Sequence, residues 1–254
     1  MELLVGFVIA VLIAATGVGA GTITAPLLIL FLRVPVPVAV GTALAYSAAV
    51  KLLVVPVQMW RQQVVWRTLG QMLLTGVPGV VLGTILFRHA VQLHGDKIWL
   101  YLALGGMIAF SSAWHIFRHF RPAIVDPDRP TRPAWLATAM LPVGAEVGFS
   151  SSGAGALGTI ALLSLTRLEA TEVVGTDLAF GLVLSLIGGG LHLAGGGLDA
   201  GLLTRLIVGG VLGAVAGTTL ASRIPARTMR LALSVWLFAM GVQLCWQAAA
   251  LARA

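Results

Sequence analysis

Apolar residues run through this chain in blocks about as long as a bilayer is thick, and the polar residues gather between blocks rather than alternating with them. Uncharged stretches of roughly 20 residues recur at Leu69–Phe87, Ile98–Phe117, Leu206–Ser222 and Leu231–Leu251. That length carries an α-helix across a hydrocarbon core of about 30 Å. The pattern predicts an all-α polytopic membrane protein with six long helices over 36–59, 66–87, 97–118, 170–194, 201–222 and 227–250. Two further segments are interrupted by small residues. Leu3–Ala15 is followed by TGVGAGT and Ile23–Leu32, and Ala134–Phe149 by SSSGAG and Ala156–Thr166. Pieces of about 10–16 residues are short for a full span and typical of a broken helix or a re-entrant hairpin.

The pattern is written twice. GTALAYSAAVK at 41–51 returns as GTDLAFGLVLS at 175–185, a constant register of 134. At that register Gly19 and Gly21 match Gly153 and Gly155, and Gly76, Gly79, Gly83 and Thr84 match Gly210, Gly213, Gly217 and Thr218. A Pro-rich polar stretch, RHFRPAIVDPDRPTRP, separates the copies and reads as a linker. The expected organisation is a first transmembrane repeat over 1–118, a linker over 119–133 and a second repeat over 134–254. Each repeat is an interrupted helix followed by three transmembrane helices.

An interrupted segment that crosses once makes the repeats parallel; one that turns back makes them inverted. Basic residues arbitrate between the two. With single crossings Lys and Arg split evenly. With re-entrant hairpins Arg61, Arg67, Arg118, Arg121, Arg129, Arg132, Arg167, Arg223, Arg227 and Arg230 share the linker's side. Opposite them stand Arg33, Arg88, Lys97, Arg205 and Arg253, with Lys51 inside a span. The positive-inside rule therefore favours two inverted-topology repeats with a cytoplasmic linker and both termini outside.

Composition narrows the function. The chain is 58% hydrophobic and 10% charged, against about 25% charged in soluble domains. A net charge of +7 sits in single basic residues beside apolar runs, which suits an anionic leaflet rather than nucleic acid. Cys245 stands alone, so no internal disulfide forms. The start Met1-Glu2 has no basic region of the kind that opens a cleaved signal peptide. No Walker-type loop, metal spacing or nucleophile–base pair points to an enzyme, and no cofactor or metal is expected.

Paired breaks are the candidate chemistry. Half-helix N-termini direct positive dipoles at anions, and glycines let a ligand reach backbone N–H groups. Gly17, Gly19, Gly21 and Thr22 in the first break, and Ser150, Ser151, Ser152, Gly153 and Gly155 in the second, are candidate substrate contacts. The competing reading is close helix packing by small residues; for Gly76, Gly79, Gly83 and their mates, which lack polar company, packing is the better one. Intramembrane ionisable groups are costly and stand out. Asp177 is a candidate proton carrier, a partner for Lys51 or a helix-dipole contact. Lys51 either attracts substrate or snorkels to the interface. Glu146 either titrates or orients the bend, and His192 is either interfacial or a proton relay.

The glycine-rich break followed by APLLILF, the phrases VGTALA and VGTDLAF, and GGLHLAGGGLDAGLL together resemble the TauE/SafE sulfite exporter family (the 4-toluene sulfonate uptake permease family). So does VLGAVAGTTLASRIPARTMRLAL. The resemblance covers nearly the whole chain apart from the linker. It implies a permease of the cell inner membrane for a small sulfur-containing anion such as sulfite or sulfoacetate. It also implies that the two breaks, the Gly-Thr pairs containing Thr42 and Thr176, Asp177 and His192 stand in motif positions. The expected function is a secondary transporter, an exporter by resemblance, with protons as a candidate coupling ion and the oligomeric state left open. The alternative is an anion channel that uses the paired breaks as its filter. In a cysteine-accessibility scan, single cysteines in the linker should label from the opposite side to cysteines at either terminus. Labelling from one side would sink the inverted arrangement.

Overall fold

In lipid an uncharged segment satisfies its backbone only by closing hydrogen bonds within itself, and all regular structure among the described residues is α-helical. The computed structural model describes residues 2–16, 20–93, 97–120, 131–152, 157–221 and 226–252, leaving aside the side chains of 13–16, 20, 93, 97, 118, 119, 214–221 and 226–230. In chain order the helices are α1 (Glu2–Thr16), α2 (Ala20–Phe31), α3 (Val36–Trp60), α4 (Trp66–Leu93) and α5 (Lys97–Phe120). They continue as α6 (Pro133–Ser150), α7 (Leu157–Leu165), α8 (Ala170–Ala194), α9 (Ala200–Ala221) and α10 (Ala226–Leu251). Among the described residues α3, α4, α5, α8 and α10 are long and apolar enough to cross a membrane.

Two boundaries differ from the sequence reading. The first break is shorter, because α2 begins at Ala20 and takes Gly21 and Thr22 into its first turn. Helix α4 runs on past Phe87 to Leu93. Arg88, which reads as a flanking charge, stays helical because its guanidinium donates to the Leu191 carbonyl at the end of α8.

Contacts fix the direction of each helix. Gly41 abuts His192 and Gly197, Leu44 and Ala45 lie against Gly188 and Gly189, and Ser47 reaches Ser185. Helix α8 therefore runs antiparallel to α3. Leu102 meets Cys245 and Ala109 meets Gly241, so α10 is likewise antiparallel to α5. The short helices double back: the Arg132 N–H, just before α6, donates to the Leu165 carbonyl at the end of α7 at 3.0 Å. Glu2, at the start of α1, lines one cavity with Leu32, Arg33 and Val34 at the end of α2. At the other end of the bundle Arg67, Thr131 and Arg167 share a cavity, near the exposed Trp66 and Trp135, the aromatic-and-basic composition of a membrane interface.

Packing between the halves is reciprocal. Helix α1 packs most extensively on α9, and α6 on α4. Gly79 faces the Leu141 carbonyl, and Gly213, its mate, faces the carbonyl of Phe7, the mate of Leu141. Gly76 lies under the Phe180 ring and Gly210 under the Tyr46 ring. Thr42 accepts from the Asp199 N–H at 3.4 Å, and Thr176 from the Val65 N–H at 3.0 Å. Turns follow suit, with left-handed backbone at Gln62 (φ 58) after α3 and at Gly196 (φ 73) after α8. Contacts are thus exchanged reciprocally between the two halves at the register of 134. Lys51 and Ser185, mates at that register, touch each other.

At Gly79 and Gly213 an added Cβ would collide with the backbone of the neighbouring helix, whereas Gly70 faces open space. Gly79→Val and Gly213→Val should each destabilise by about 1–3 kcal/mol, the usual cost of overpacking. Gly70→Val should be neutral. Thermal unfolding in detergent reads the difference.

Candidate functional site

The two breaks meet. Helix α6 ends at Ser150, and Ser151 caps it in the left-handed conformation at φ 61. Its hydroxyl donates to the Gly21 carbonyl at 3.0 Å. A Cβ on Gly21 would strike the Ser151 carbonyl, so glycine is what lets the start of α2 approach the end of α6. Thr22 is buried in the same first turn. Gly17, Gly19, Gly153 and Gly155 lie outside the described residues.

The serines of the second break mostly serve the break itself. Ser150 donates to the Glu146 carbonyl at 2.9 Å, the ordinary i−4 bond of a helical serine. Its oxygen lies 2.6 Å from the Ser152 hydroxyl. Ser152 donates to the Glu146 carboxylate at 3.1 Å, and Ser111 of α5 bonds the same group. Glu146 is thus a buried carboxyl whose contacts are hydroxyls, which donate to a carboxylate and accept from a carboxylic acid equally well. That surrounding accommodates both protonation states without a change of partners.

Lys51 is buried to 5% exposure. Its ammonium does not snorkel; it donates to the Ser185 hydroxyl at 3.3 Å, which donates to Ser47 at 3.2 Å. Ser47 is one helical turn before Lys51, and Ser185 is the mate of Lys51 in the other half, so three polar groups converge between α3 and α8. No ion pair joins Lys51 to Asp177. Asp177 instead lies against the start of α7. Its Oδ2 accepts from the Thr159 hydroxyl at 2.8 Å, and its Oδ1, buried beside Gly158, has no hydrogen-bond partner.

His192 is 3% exposed, with Nε2 3.0 Å from the Gly148 carbonyl and its ring tilted against Phe87 at 5.2 Å. The position is near a helix end in sequence, yet α8 is packed on α3, α4 and α6 there. A pocket of about 210 Å³ opens beside it, lined by Arg88, Gln92 and Gly195 among others. The hydroxyls of Thr42 and Thr176 are occupied with the N–H groups that open the α9 and α4 regions. No group of three or more His, Cys, Asp and Glu side chains converges among the described residues.

Sequence reasoning singled out the charged members of the site and Ser152, the partner of Glu146, but not the neutral partners of Lys51 and Asp177. Ser185 was legible as the mate of Lys51, and Ser47 as its i−4 neighbour. Thr159, Gly158 and Ser111 had no such signal, since they are brought in by helices that pack only in three dimensions.

A family model described as sulfite exporter TauE/SafE matches residues 2–244. The chain is also 30% identical over 212 residues to "Probable membrane transporter protein YjnA" of Bacillus subtilis (strain 168), covering 80% of this chain and 83% of that one. No solved structure matches.

A buried ammonium held only by hydroxyls costs more in desolvation than it regains. Lys51→Met should therefore leave stability unchanged or raise it. Ser185→Ala, which strips the charge of its acceptor, should lower it by about 1–3 kcal/mol. Unfolding curves in detergent that ranked the two variants the other way would show that the ammonium is a structural element.

Proposed function

Because the chain belongs to the sulfite exporter TauE/SafE family, we propose that this multi-pass membrane transporter moves a small sulfur-containing oxyanion or organosulfonate, sulfite or sulfoacetate in class, out of the cell. The observation that carries the reading is the meeting of the two helix breaks at Ser151 and Gly21, in a protein that also buries Lys51 without a carboxylate partner. An ammonium in that condition is stabilised by an arriving anion, and the arrival costs the protein no existing ion pair. Binding takes place near the midplane, between repeats of inverted topology.

The antiparallel course of α8 against α3, and of α10 against α5, supports the inversion. So do the returning hairpins α1–α2 and α6–α7. With three crossings per repeat, the positive-inside rule favours a cytoplasmic linker and both termini outside, in a cell inner membrane. The exposed ion pair of Arg205 with Glu2, 2.6 Å, then lies on the outer side. Transport proceeds by alternating access: the two breaks exchange faces as the repeats rock about their shared axis. Glu146, with contacts that suit either protonation state, is the better-placed coupling residue if protons accompany the anion; Asp177 and His192 are the others.

Purified protein in proteoliposomes should give saturable flux of sulfite, thiosulfate or a sulfonate, with a pH gradient altering the rate if protons couple. Lys51→Met should reduce that flux at least about tenfold, since losing one opposite charge at a desolvated anion is worth 1.4 kcal/mol or more. Ohmic, non-saturating flux would indicate a channel. Absence of flux for every anion tested, sulfate included, would defeat the transport reading.

A further inference from the structure

Asp177 sits where a ligand belongs. Its carboxylate meets α7 at its second and third residues, Gly158 and Thr159. This is the end of a helix where unsatisfied N–H groups and the positive dipole favour an anion. Thr159 holds Oδ2 by a hydroxyl bond of 2.8 Å. Oδ1 has no hydrogen-bond partner in a residue only 5% exposed. It lies so near the Gly158 Cα that a methyl group there would displace it. Acid, hydroxyl and glycine thus form a fitted seat around one charged group, and half of that group's bonding capacity is unused.

The first half has no such seat. At the register of 134, Asp177 corresponds to Ala43, Gly158 to Thr24 and Thr159 to Ala25. All three components are replaced together, so the seat was built, or lost, as a unit and is not part of the framework that the halves share. Thr42 and Thr176, one residue away, keep their reciprocal bonds.

We propose that the N-terminus of α7 is an oxyanion site permanently occupied by a tethered anion, the Asp177 side chain, which excludes free oxyanions from the second half. The consequence for transport rests on the function proposed above: substrate is bound one-sidedly, with Lys51 supplying the charge, although both halves carry a helix break. In this role Asp177 determines specificity and stoichiometry and need not move a proton.

Removing the tether should expose the site, and chemical rescue tests that without relying on transport. Full-length wild type, Asp177→Ala and Asp177→Asn are unfolded thermally in detergent with sodium formate, sodium sulfite or sodium chloride at matched ionic strength. Formate is the missing carboxylate in free form. It should raise the midpoint of Asp177→Ala saturably by about 3 °C or more relative to chloride, the scale expected of a ligand well above its Kd. Wild type and Asp177→Asn, whose seat is filled, should show no formate effect. Sulfite should stabilise Asp177→Ala more than it stabilises wild type. If formate and sulfite shift Asp177→Ala no further than wild type, the proposal is overturned, whatever the flux assay shows. A rescued variant in a protein that moves no anion would overturn the transport reading and leave the seat standing.

Discussion

A helix that stops inside a bilayer leaves N–H and C=O groups with no water to turn to. In each half of this chain one short helix ends and another begins, and the packing around those two places governs their neighbours. The chain brings the two places together, with Ser151 donating to Gly21 and Gly21 lacking the side chain that would keep them apart. Ser150 and Ser152 turn inward for the same reason, and Glu146 comes with them as the acceptor that Ser152 needs. Small residues then line the neighbouring contacts: α4 can lie against α6 only because Gly79 and Gly83 present bare backbone to Leu141 and Ala145. Without that close approach the broken segments would be exposed to lipid.

Most of the architecture was legible in the chain because it depends on what lipid forbids. Uncharged runs of bilayer length foretold the long apolar helices α3, α4, α5, α8 and α10. Partnership was harder to read. Hydropathy reports how deep a residue sits along a span and says nothing of which side it faces, so the contacts of His192 with the Gly148 carbonyl and the Phe87 ring were not legible. Thr42 and Thr176 stood out as motif positions, and what the chain did not announce is that their hydroxyls accept from the loop N–H groups of Asp199 and Val65, 157 and 111 residues away. Asp177 and Lys51 were conspicuous as charges; that each would settle on a hydroxyl rather than on the other required the packing of α7 and α3 against α8.

Duplication usually keeps two copies alike where they share a load and lets them drift where they do not. Here the shared load is steric: the contacts of Gly41, Gly76 and Gly79 recur at Gly175, Gly210 and Gly213, and the Gly-Thr pairs recur with them. The buried charged residues do not recur. Lys51 faces Ser185, and Asp177 faces Ala43. A symmetric frame carrying an asymmetric charge distribution has two distinguishable faces, which suits a protein that must treat the two sides of a membrane differently.

The crossed packing of α1 on α9 and α6 on α4 has a consequence for biogenesis. Helix α6 finds α4 already in the membrane when it leaves the ribosome, but α1 packs on residues such as Gly209 and Gly213, made about two hundred residues later. At about 5–20 residues per second the first hairpin waits on the order of ten to forty seconds for its partner. During that interval a half-inserted, glycine-rich segment has to be sheltered by something other than its native neighbour. The second half assembles on a finished template, and the first must be held until the second arrives.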